Sequence, residues 1–408
     1  MVHLKRKITA HILSVVLLFS CLATSYYTFA DEESQLFYDG STNEAVLNAG
    51  GAVIWSDEKY QKEQEEKENA KIVDYDQRSF EVGPYMDEVN YLLNSGSVVK
   101  NYKTGTGNSS MPNGYTIPCQ PGQTIEIIDE ANPDNLFDQI FPEDVYCTIY
   151  NLIPNHVYDV YVYNDQGVLL DQYKIRPVGS VRFIKTDYVS NLRDMGGWEV
   201  PNGIIKYGKL YRGAEIPSLA SKMYKLDNDL ITLSKLNIGA EVDLRTDEEA
   251  YQTKRWNTQT YGSQDISQIP GASYVQNTMQ GYMLGINFGR GLSDKTVRAL
   301  RTIIEDVNEG TIVYFHCAAG ADRTGTIAFM IEGLLGVSEN DMDKDYELTT
   351  FADTYRYRTY DGYVEMKDYI KSLEGDTLQQ QFYNWFLQAG FTDSELQNFI
   401  ANMTEYTM

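Results

Sequence analysis

The sequence predicts a two-part chain, in which an all-β sandwich precedes an α/β domain with a mostly parallel sheet flanked by helices. Over residues 181–408, strand patterns alternate with helical patterns, which favours a parallel sheet covered by helices. The strand patterns at 241–244 and 311–315 each follow a helical pattern, at 219–236 and 292–307 respectively. We therefore expect the larger, C-terminal part of the chain to be an α/β domain.

Residues 85–180 are predicted to form the all-β sandwich. Short runs of β-branched and aromatic residues are separated there by Pro-Gly, Asn-Pro-Asp-Asn and Asp-Gln-Gly turns. The segment 152–162 is similar to the strand-corner-strand segment of fibronectin type III-like domains, and Tyr158 stands where their corner tyrosine does. The resemblance implies a fibronectin type III-like domain. His156 in this segment is expected to be an exposed turn residue.

The first 30 residues have the pattern of a signal peptide. Three basic residues precede an apolar segment, 12–22, that is too short to span a bilayer comfortably. Cleavage after Ala30 and lipidation of Cys21 both fit the sequence, so the chain is expected to be exported to the periplasm, the cell surface or the medium. Residues 31–84 form an acidic lead-in that is expected to be partly flexible.

The formal net charge of −24 restricts the expected partners. Nucleic acid is bound through Lys and Arg that neutralise phosphates, and anionic membranes attract basic surfaces, so neither is expected. An anionic substrate must be held by a local positive site against an adverse overall field. No segment after the signal peptide is long and apolar enough to be an integral membrane span. The β-sandwich could also bind a surface ligand, which the sequence does not identify.

Removal of the signal peptide leaves three cysteines, Cys119, Cys147 and Cys317. In an exported protein Cys119 and Cys147 can form a disulfide, which would leave Cys317 as the free thiol. Two unpaired buried thiols are the alternative, and the sequence does not decide between them.

Residues 311–325 have the pattern of a strand, a tight loop and a helix, with Cys317 at the start of the loop. This geometry gathers backbone N–H groups around an anion, and the same groups favour a thiolate at Cys317. Arg323 has a planar guanidinium that can hold two phosphate oxygens. The expected phosphate-binding residues include the rest of the loop: Ala318, Ala319, Gly320, Ala321 and Thr324.

This loop resembles the signature loop of the cysteine-dependent protein tyrosine phosphatases. The run Ala-Gly-x-Asp-Arg-Thr-Gly after His-Cys is similar to bacterial tyrosine and dual-specificity phosphatases of the secreted virulence-factor type, although Ala321 stands where those usually carry lysine. Blocks at 191–198, 207–215 and 241–249 also fit the family, and the resemblance covers about 185–403. It implies an α/β tyrosine-phosphatase-like catalytic domain.

Two neighbouring charged residues in the first family block are expected to act at the site. Arg193 and Asp194 are expected to shape its floor, with Arg193 binding substrate, and the Gly-Gly pair that follows permits a positive φ beside them. His316 is expected to support the loop and to tune Cys317 through hydrogen bonds.

Two further arginines, Arg212 and Arg245, are expected to form structural ion pairs in a domain that is otherwise rich in acid. Asp243 and Glu248 are the expected partners. Asp243 and Arg245 would thus support the site rather than contact the substrate.

The expected reaction starts with attack of the Cys317 thiolate on phosphorus, and a general acid must protonate the leaving oxygen. Tyrosine phosphatases usually supply an aspartate on a mobile loop, but residues 274–285, near the expected place, contain no carboxylate. Asp322 is the candidate acid, with a purely structural role as its alternative, and Asp265 and Asp294 are further candidates. No metal or other cofactor is required.

Three functions fit these patterns. The first is an exported protein tyrosine or dual-specificity phosphatase. The second keeps the chemistry but acts on soluble inositol polyphosphates such as phytate, whose charge density calls for several Lys or Arg around the mouth. The third is a catalytically silent phosphate-binding module. Release of phosphate from a phosphotyrosine peptide or from phytate separates the three.

Overall fold

The computed structural model describes residues 46–47, 53–54, 72–105, 109–217, 226–261, 263, 265–290, 293–352 and 357–406. The chain divides into two units, Met1–Ile72 and Val73–Met408. In the first unit, strands β1 (Val46–Leu47) and β2 (Val53–Ile54) pair antiparallel. The predicted signal peptide, with Cys21, lies outside the described residues, as does most of the acidic lead-in.

The region from residue 72 to residue 178 is rich in strands. Its strands are β3 (Ile72–Asp76), β4 (Tyr115–Pro118), β5 (Thr124–Asp129), β6 (Leu136–Ile140), β7 (Tyr146–Ile149), β8 (Tyr158–Tyr163) and β9 (Leu169–Val178). They form a five-stranded sheet in the order β3-β9-β8-β5-β6 and a two-stranded sheet of β4 and β7. The pairs β4–β7, β5–β6, β5–β8 and β8–β9 are antiparallel.

One apolar cluster joins these two sheets. Burial alternates along β5 and β8, so every second side chain enters the cluster, as expected for strands that are buried on one face. Ile117 and Ile149 enter it from the two-stranded sheet, and Ile125 and Val160 from the five-stranded sheet.

The turn before β8 is fixed by a contact of Tyr158. Its buried hydroxyl accepts a hydrogen bond from the backbone N–H of Ile153 at 2.9 Å, which ties the turn to the strand. His156, which was expected to be exposed, is partly buried because its Nδ1 lies 2.7 Å from Oδ2 of Asp129.

Cys119 and Cys147 lie in the same cluster as free, buried thiols, so the disulfide alternative is wrong. Sγ of Cys119 donates to the carbonyl oxygen of Asp144 at 3.3 Å. Burial raises the pKa of Cys147 to about 11. Both residues therefore serve as small apolar core side chains.

The remaining strands and the helices belong to the α/β part. Its strands are β10 (Arg193–Asp194), β11 (Glu199–Val200), β12 (Gly203–Ile205), β13 (Leu210–Gly213), β14 (Ala240–Asp243), β15 (Ser273–Gln276), β16 (Val313–His316) and β17 (Thr404–Tyr406). The α-helices are α1 (Val82–Glu88), α2 (Asp227–Lys235), α3 (Tyr251–Tyr261), α4 (Tyr282–Ile286), α5 (Ser293–Asn308), α6 (Asp322–Leu335), α7 (Glu339–Ala352), α8 (Val364–Lys371), α9 (Leu378–Gln388) and α10 (Asp393–Met403). Three short 3₁₀ turns span Val99–Asn101, Phe288–Arg290 and Tyr360–Tyr363.

The main sheet of this part has the order β10-β13-β16-β14-β15. The pairs β13–β16, β16–β14 and β14–β15 are parallel, and the edge strand β10 is antiparallel to β13, which confirms the predicted mostly parallel sheet. Strand β16 is central and fully buried. From the carboxyl end of β16, the chain passes directly into the loop that begins with Cys317. Strands β11, β12 and β17 form a separate small sheet.

The helices cover the sheet with apolar faces. Helix α5 matches the helix predicted at 292–307. Its buried residues recur every three to four positions along one face. Helix α6 is buried over most of its length and packs in the largest apolar cluster with α9 and α10. Within the described part of the chain, no helix has the length and hydropathy needed to cross a membrane.

The segment between β3 and β4 packs on the α/β core. Tyr85 of α1 is fully buried in the same cluster as α6, and its hydroxyl donates to Oε2 of Glu347 at 2.9 Å. Nζ of Lys344 donates to the carbonyl oxygen of Met86 at 2.7 Å. The segment around α1 therefore belongs to the α/β core, whereas the sequence placed the sandwich from residue 85 onward. The five-stranded sheet begins earlier, at Ile72.

Candidate active site

The loop 317–321 connects the central strand β16 to the first residue of α6, Asp322. Gly320 has a φ of +65°, and a Cβ at this position would lie 2.5 Å from the carbonyl group of Gly213. The turn therefore requires glycine. It brings the amino end of α6, with its free N–H groups, up to the loop.

Cys317 is the first residue of the loop and is 3% exposed. Burial alone would raise the pKa of its thiol, but the polar groups of Thr324 oppose it. The charge of Arg323 and the N–H of Ala319 act in the same direction, so the pKa of Cys317 is lowered. The loop thus favours the thiolate that the sequence predicts.

Arg323 lies in the first turn of α6 and is held by a carboxylate from the loop after β14. Its Nη1 and Nη2 donate to Oε2 and Oε1 of Glu249, each at 2.6 Å. This bidentate pair lowers the pKa of Glu249 to about 2. A guanidinium has five N–H groups, so the pair fixes the orientation of Arg323 and leaves donors for a phosphate.

His316 supports the loop from the sheet. Its Nε2 lies 3.0 Å from Oε1 of Glu241, and its Nδ1 lies 3.3 Å from the carbonyl oxygen of Cys317. The ring also stacks on Tyr314. Burial lowers the pKa of His316, but the charge of Asp243 and the Glu241 hydrogen bond outweigh it, so the pKa is raised. The imidazole therefore anchors the loop backbone, as the sequence predicts.

The structure does not bring Asp194 to the floor of the site, which corrects the expectation from sequence. Its carboxylate accepts hydrogen bonds from Nη1 of Arg182 at 2.9 Å and from the N–H groups of Gly196 and Gly208 at 2.9 and 2.8 Å. Nε of Arg182 also donates to the carbonyl oxygen of Leu152 at 3.1 Å. Asp194 therefore joins the strand-rich region to the α/β core, because its ion-pair partner spans both.

Arg193 is 1% exposed, and its guanidinium is used within the core. Nε donates to Oδ1 of Asp345 at 3.0 Å, Nη2 donates to the carbonyl oxygen of Asp345 at 2.8 Å, and Nη1 bonds Oδ1 of Asn191. This corrects the predicted contact between Arg193 and substrate. Nδ2 of Asn191 donates to the carbonyl oxygen of Gly320 at 3.0 Å, so Arg193 acts on the loop through Asn191.

Arg212 shares the carboxylate of Asp345 with Arg193. Its Nη1 bonds Oδ2 of Asp345, and its Nη2 donates to the carbonyl oxygen of Gly320 at 3.2 Å. The predicted ion pair of Arg212 is present, but its partner lies on α7 and not in the block 241–249. Burial and the charge of Arg193 lower the pKa of Arg212 to about 10.

Glu332 on α6 is the fourth ionisable group of this buried cluster and is 1% exposed. Burial raises the pKa of Glu332 far above its ordinary value, and the charge of Asp345 acts in the same direction. Burial therefore favours the neutral form of Glu332. The guanidinium groups of Arg193 and Arg212 share one carboxylate, that of Asp345, behind the loop.

We expect Asp345→Asn to lower the free energy of unfolding by about 3–5 kcal/mol, because it leaves two buried guanidinium groups without their anion. Glu332→Gln should change it by less than about 1 kcal/mol, because burial already favours the neutral form of the native side chain. Urea unfolding at neutral pH measures both variants. Equal losses would contradict the neutral state of Glu332.

Arg245 and Asp243 form the predicted ion pair at the end of β14. Nη2 of Arg245 donates to Oδ2 of Asp243 at 2.7 Å, and the Tyr274 hydroxyl donates to the same oxygen at 2.9 Å. Arg245 also bonds Glu215. Burial opposes ionisation of Asp243, but the charges of His316 and Arg245 lower its pKa to about 2.

Asp322 follows the loop directly, and its side chain is 46% exposed. Its Oδ1 accepts a hydrogen bond from the hydroxyl of Tyr282 at 2.6 Å and another from Nε of Arg358 at 3.0 Å. Two donors from distant segments thus hold this carboxylate at the amino end of α6.

The other two candidate acids lie elsewhere. Asp265 is in the connection between α3 and β15, and Asp294 is in the first turn of α5. Among the described residues, neither side chain is hydrogen-bonded to the loop or to α6. Asp322 is therefore the candidate that the structure places at the loop.

Sequence reasoning missed four residues that hold the site. Glu249 was overlooked in favour of its neighbour Glu248, although the acidic run after β14 pointed to this position. Asp345 lies in a stretch that fits the family, but nothing in the sequence paired it with two arginines. Tyr282 and Arg358 had no signal, because they reach Asp322 across 40 and 36 residues.

The fold and the site together define an α/β domain built around a cysteine loop that suits phosphate. The chain belongs to the tyrosine phosphatase family, whose model matches residues 184–405, more than half of the chain.

One curated relative is a protein of Cupriavidus necator that carries the name of a tyrosine-protein phosphatase. It is 29% identical over 175 residues, which cover 39% of this chain and 60% of the relative. The match thus spans about 60% of that relative's length.

Two solved structures of Pseudomonas aeruginosa TpbA also match, and one of them is a cysteine-to-serine variant in complex with phosphotyrosine. Each is 16% identical, covers 46% of this chain and has a TM-score of 0.29. The matches cover 97% and 96% of the TpbA chains.

Proposed function

We propose that the chain is an exported phosphatase that hydrolyses phosphotyrosine monoesters, and also phosphoserine and phosphothreonine monoesters, through a cysteinyl-phosphate intermediate. The observation that carries the proposal is Cys317, a buried thiol whose pKa is nevertheless lowered, beside the fixed guanidinium of Arg323. Membership of the tyrosine phosphatase family and the name of the Cupriavidus necator relative support it.

In the first step, the Cys317 thiolate attacks phosphorus, and the bond between phosphorus and the leaving oxygen breaks. Asp322 donates its proton to that oxygen, so the alcohol or phenol leaves neutral and Asp322 becomes a carboxylate. Loop N–H groups and Arg323 stabilise the three equatorial oxygens of the transferring group. The buried Arg212 adds positive charge behind the loop.

In the second step, a water molecule attacks phosphorus and passes a proton to the Asp322 carboxylate. The sulfur–phosphorus bond breaks, phosphate leaves, and the Cys317 thiolate is restored with its electron pair. Thr324 lowers the pKa of Cys317, so it stabilises the sulfur as a leaving group.

Export and the fibronectin type III-like identity of the strand-rich region are further parts of the proposal. Export is supported by the sequence of residues 1–30. The sandwich is supported by two sheets that share one apolar cluster and by the corner contact between Tyr158 and Ile153. The strand-rich region is also proposed to bind a surface ligand.

The substrate class is tested by release of phosphate from a phosphotyrosine peptide and from phytate at equal concentration. We expect turnover of the peptide and little turnover of phytate, because a chain of net charge −24 repels a dense polyanion and Ala321 adds no positive charge to the loop. Preference for phytate would favour the inositol polyphosphate alternative. Binding without turnover of either would favour a silent phosphate-binding module.

Asp322→Asn is expected to slow alkyl phosphates by about 10²-fold, because an alkoxide leaves poorly without a proton. Aryl phosphates with acidic phenols should lose much less, since such phenolates leave unassisted. Equal losses for both substrate types would mean that Asp322 has only a structural role.

Chelation of metals by EDTA should leave phosphate release unchanged, because the proposed nucleophile is a thiolate that is activated by hydrogen bonds and by Arg323. The measurement compares turnover before and after dialysis against EDTA. A loss that added divalent metal restores would point to metal chemistry instead.

A further inference from the structure

The segment between β15 and α4 crosses the amino end of α6 at the place where the family's acid-bearing loop is expected. It contains no carboxylate, but it leads into Tyr282, the first residue of α4, which contacts Asp322 and Thr326 of α6. Gly281 lies so close to α6 that a Cβ on it would be 3.3 Å from the backbone carbon of Asp322. The segment therefore packs directly on the residue that we propose as the general acid.

Tyr282 is held in an unusual backbone conformation. Its φ is +54°, in the left-handed region that a bulky residue rarely adopts. Its N–H donates to Oγ1 of Thr326 on α6 at 2.7 Å, which fixes the backbone against the helix. Such a conformation costs of order 1–3 kcal/mol and persists where the surroundings impose it, often at functional sites.

The Tyr282 side chain is aimed at Asp322. Its hydroxyl donates to Oδ1 at 2.6 Å and also contacts the hydroxyl of Tyr346. Nε of Arg358 donates to the same Oδ1 at 3.0 Å. Within the part of the chain that the structure describes, both side-chain donors to Asp322 thus bind Oδ1, and no side chain donates to Oδ2.

We propose that Tyr282 and Arg358 are positioning residues, which hold Oδ1 of Asp322 so that the proton on Oδ2 faces the leaving oxygen. The inference rests on the proposed function and deepens it. A carboxylate on α6 that is held from two sides replaces the aspartate of a mobile loop, so no loop closure is needed to deliver the proton. Tyr282 is not itself the acid, because burial raises the pKa of its hydroxyl far above neutrality.

Tyr282→Phe tests this inference, because it removes the hydroxyl and keeps the ring. We expect kcat for an alkyl phosphate to fall about tenfold, and kcat for an aryl phosphate with an acidic phenol to stay within about twofold. Arg358→Gln should shift the ratio of the two rates in the same direction. KM for both substrates should change little, since neither residue is proposed to bind the phosphate.

Tyr383→Phe is the matched control. It removes a hydroxyl that donates to Oδ1 of Asp393, also at 2.6 Å, but far along the chain from the loop. We expect it to leave the ratio of alkyl to aryl turnover unchanged. If Tyr383→Phe changed that ratio to a similar extent, the effect would come from a general destabilisation of the domain and not from the contact with Asp322.

The outcomes separate this inference from the function on which it rests. If Asp322→Asn slows alkyl phosphates selectively but Tyr282→Phe and Arg358→Gln do not, the positioning inference is overturned and the phosphatase proposal stands. If Asp322→Asn is not selective either, Asp322 is not the acid. If no substrate is turned over by the native protein, the proposed function itself fails.

Discussion

Cys317→Ser is expected to abolish release of phosphate, with a loss of at least about 10³-fold in kcat. A serine hydroxyl in this loop stays protonated, because the interactions that lower the pKa of a thiol do not bring an alcohol into the neutral range. The fold should be retained, since the exchange replaces one small buried atom by another.

Binding gives the control for Cys317→Ser. Arg323 and the loop N–H groups remain, so the variant should still bind a phosphotyrosine peptide with an affinity near that of the native protein. Calorimetry measures the binding, and urea unfolding measures the stability. Activity within about tenfold of the native level would contradict a covalent mechanism through Cys317.

Arg323→Lys is expected to lower kcat by about 10²–10³-fold although the charge is kept. A lysine is a point charge and cannot span two equatorial oxygens. It also cannot reproduce the bidentate pair with Glu249, which orients the side chain in the native loop.

Arg301→Lys on α5 is the matched control for Arg323→Lys, because Arg301 also pairs with a glutamate, Glu395, at 2.9 Å, but away from the loop. It should retain native turnover. Near-native turnover of Arg323→Lys would show that the guanidinium lies outside the ring of groups around the phosphate.

The local part of the site could be predicted because its residues lie in one continuous stretch of sequence. Strand β16, the loop and α6 are consecutive, so the positions of Cys317 and Arg323 follow from secondary structure alone. The same holds for Arg245, whose partner Asp243 is two residues away.

Charge pairing over long sequence distances could not be predicted. Asp194 looked like a site residue because it is next to Arg193, but its partner Arg182 comes from the segment that enters the α/β core. Arg193 and Arg212 meet on Asp345, which is 152 and 133 residues away along the chain. Sequence proximity to a motif therefore misplaced these side chains, because ion pairs form wherever the tertiary fold brings opposite charges together.

The buried arginines explain how an acidic chain can hold an anion. The net charge of −24 creates an adverse field, and Ala321 removes a positive charge that related loops usually carry. Arg212 places positive charge behind Gly320, and burial favours the neutral form of Glu332, which does not cancel that charge. In a medium of low dielectric constant such a charge acts strongly over short distances.

The most direct test of the account is to trap the intermediate. Protein is mixed with a phosphotyrosine peptide, quenched within milliseconds and digested, and the peptide that contains Cys317 is examined by mass spectrometry. We expect one phosphoryl group on Cys317, in larger amount in Asp322→Asn with an acidic aryl phosphate, because that variant lacks the base for the second step. Steady release of phosphate with no phosphoryl group on Cys317 in either protein would contradict the account.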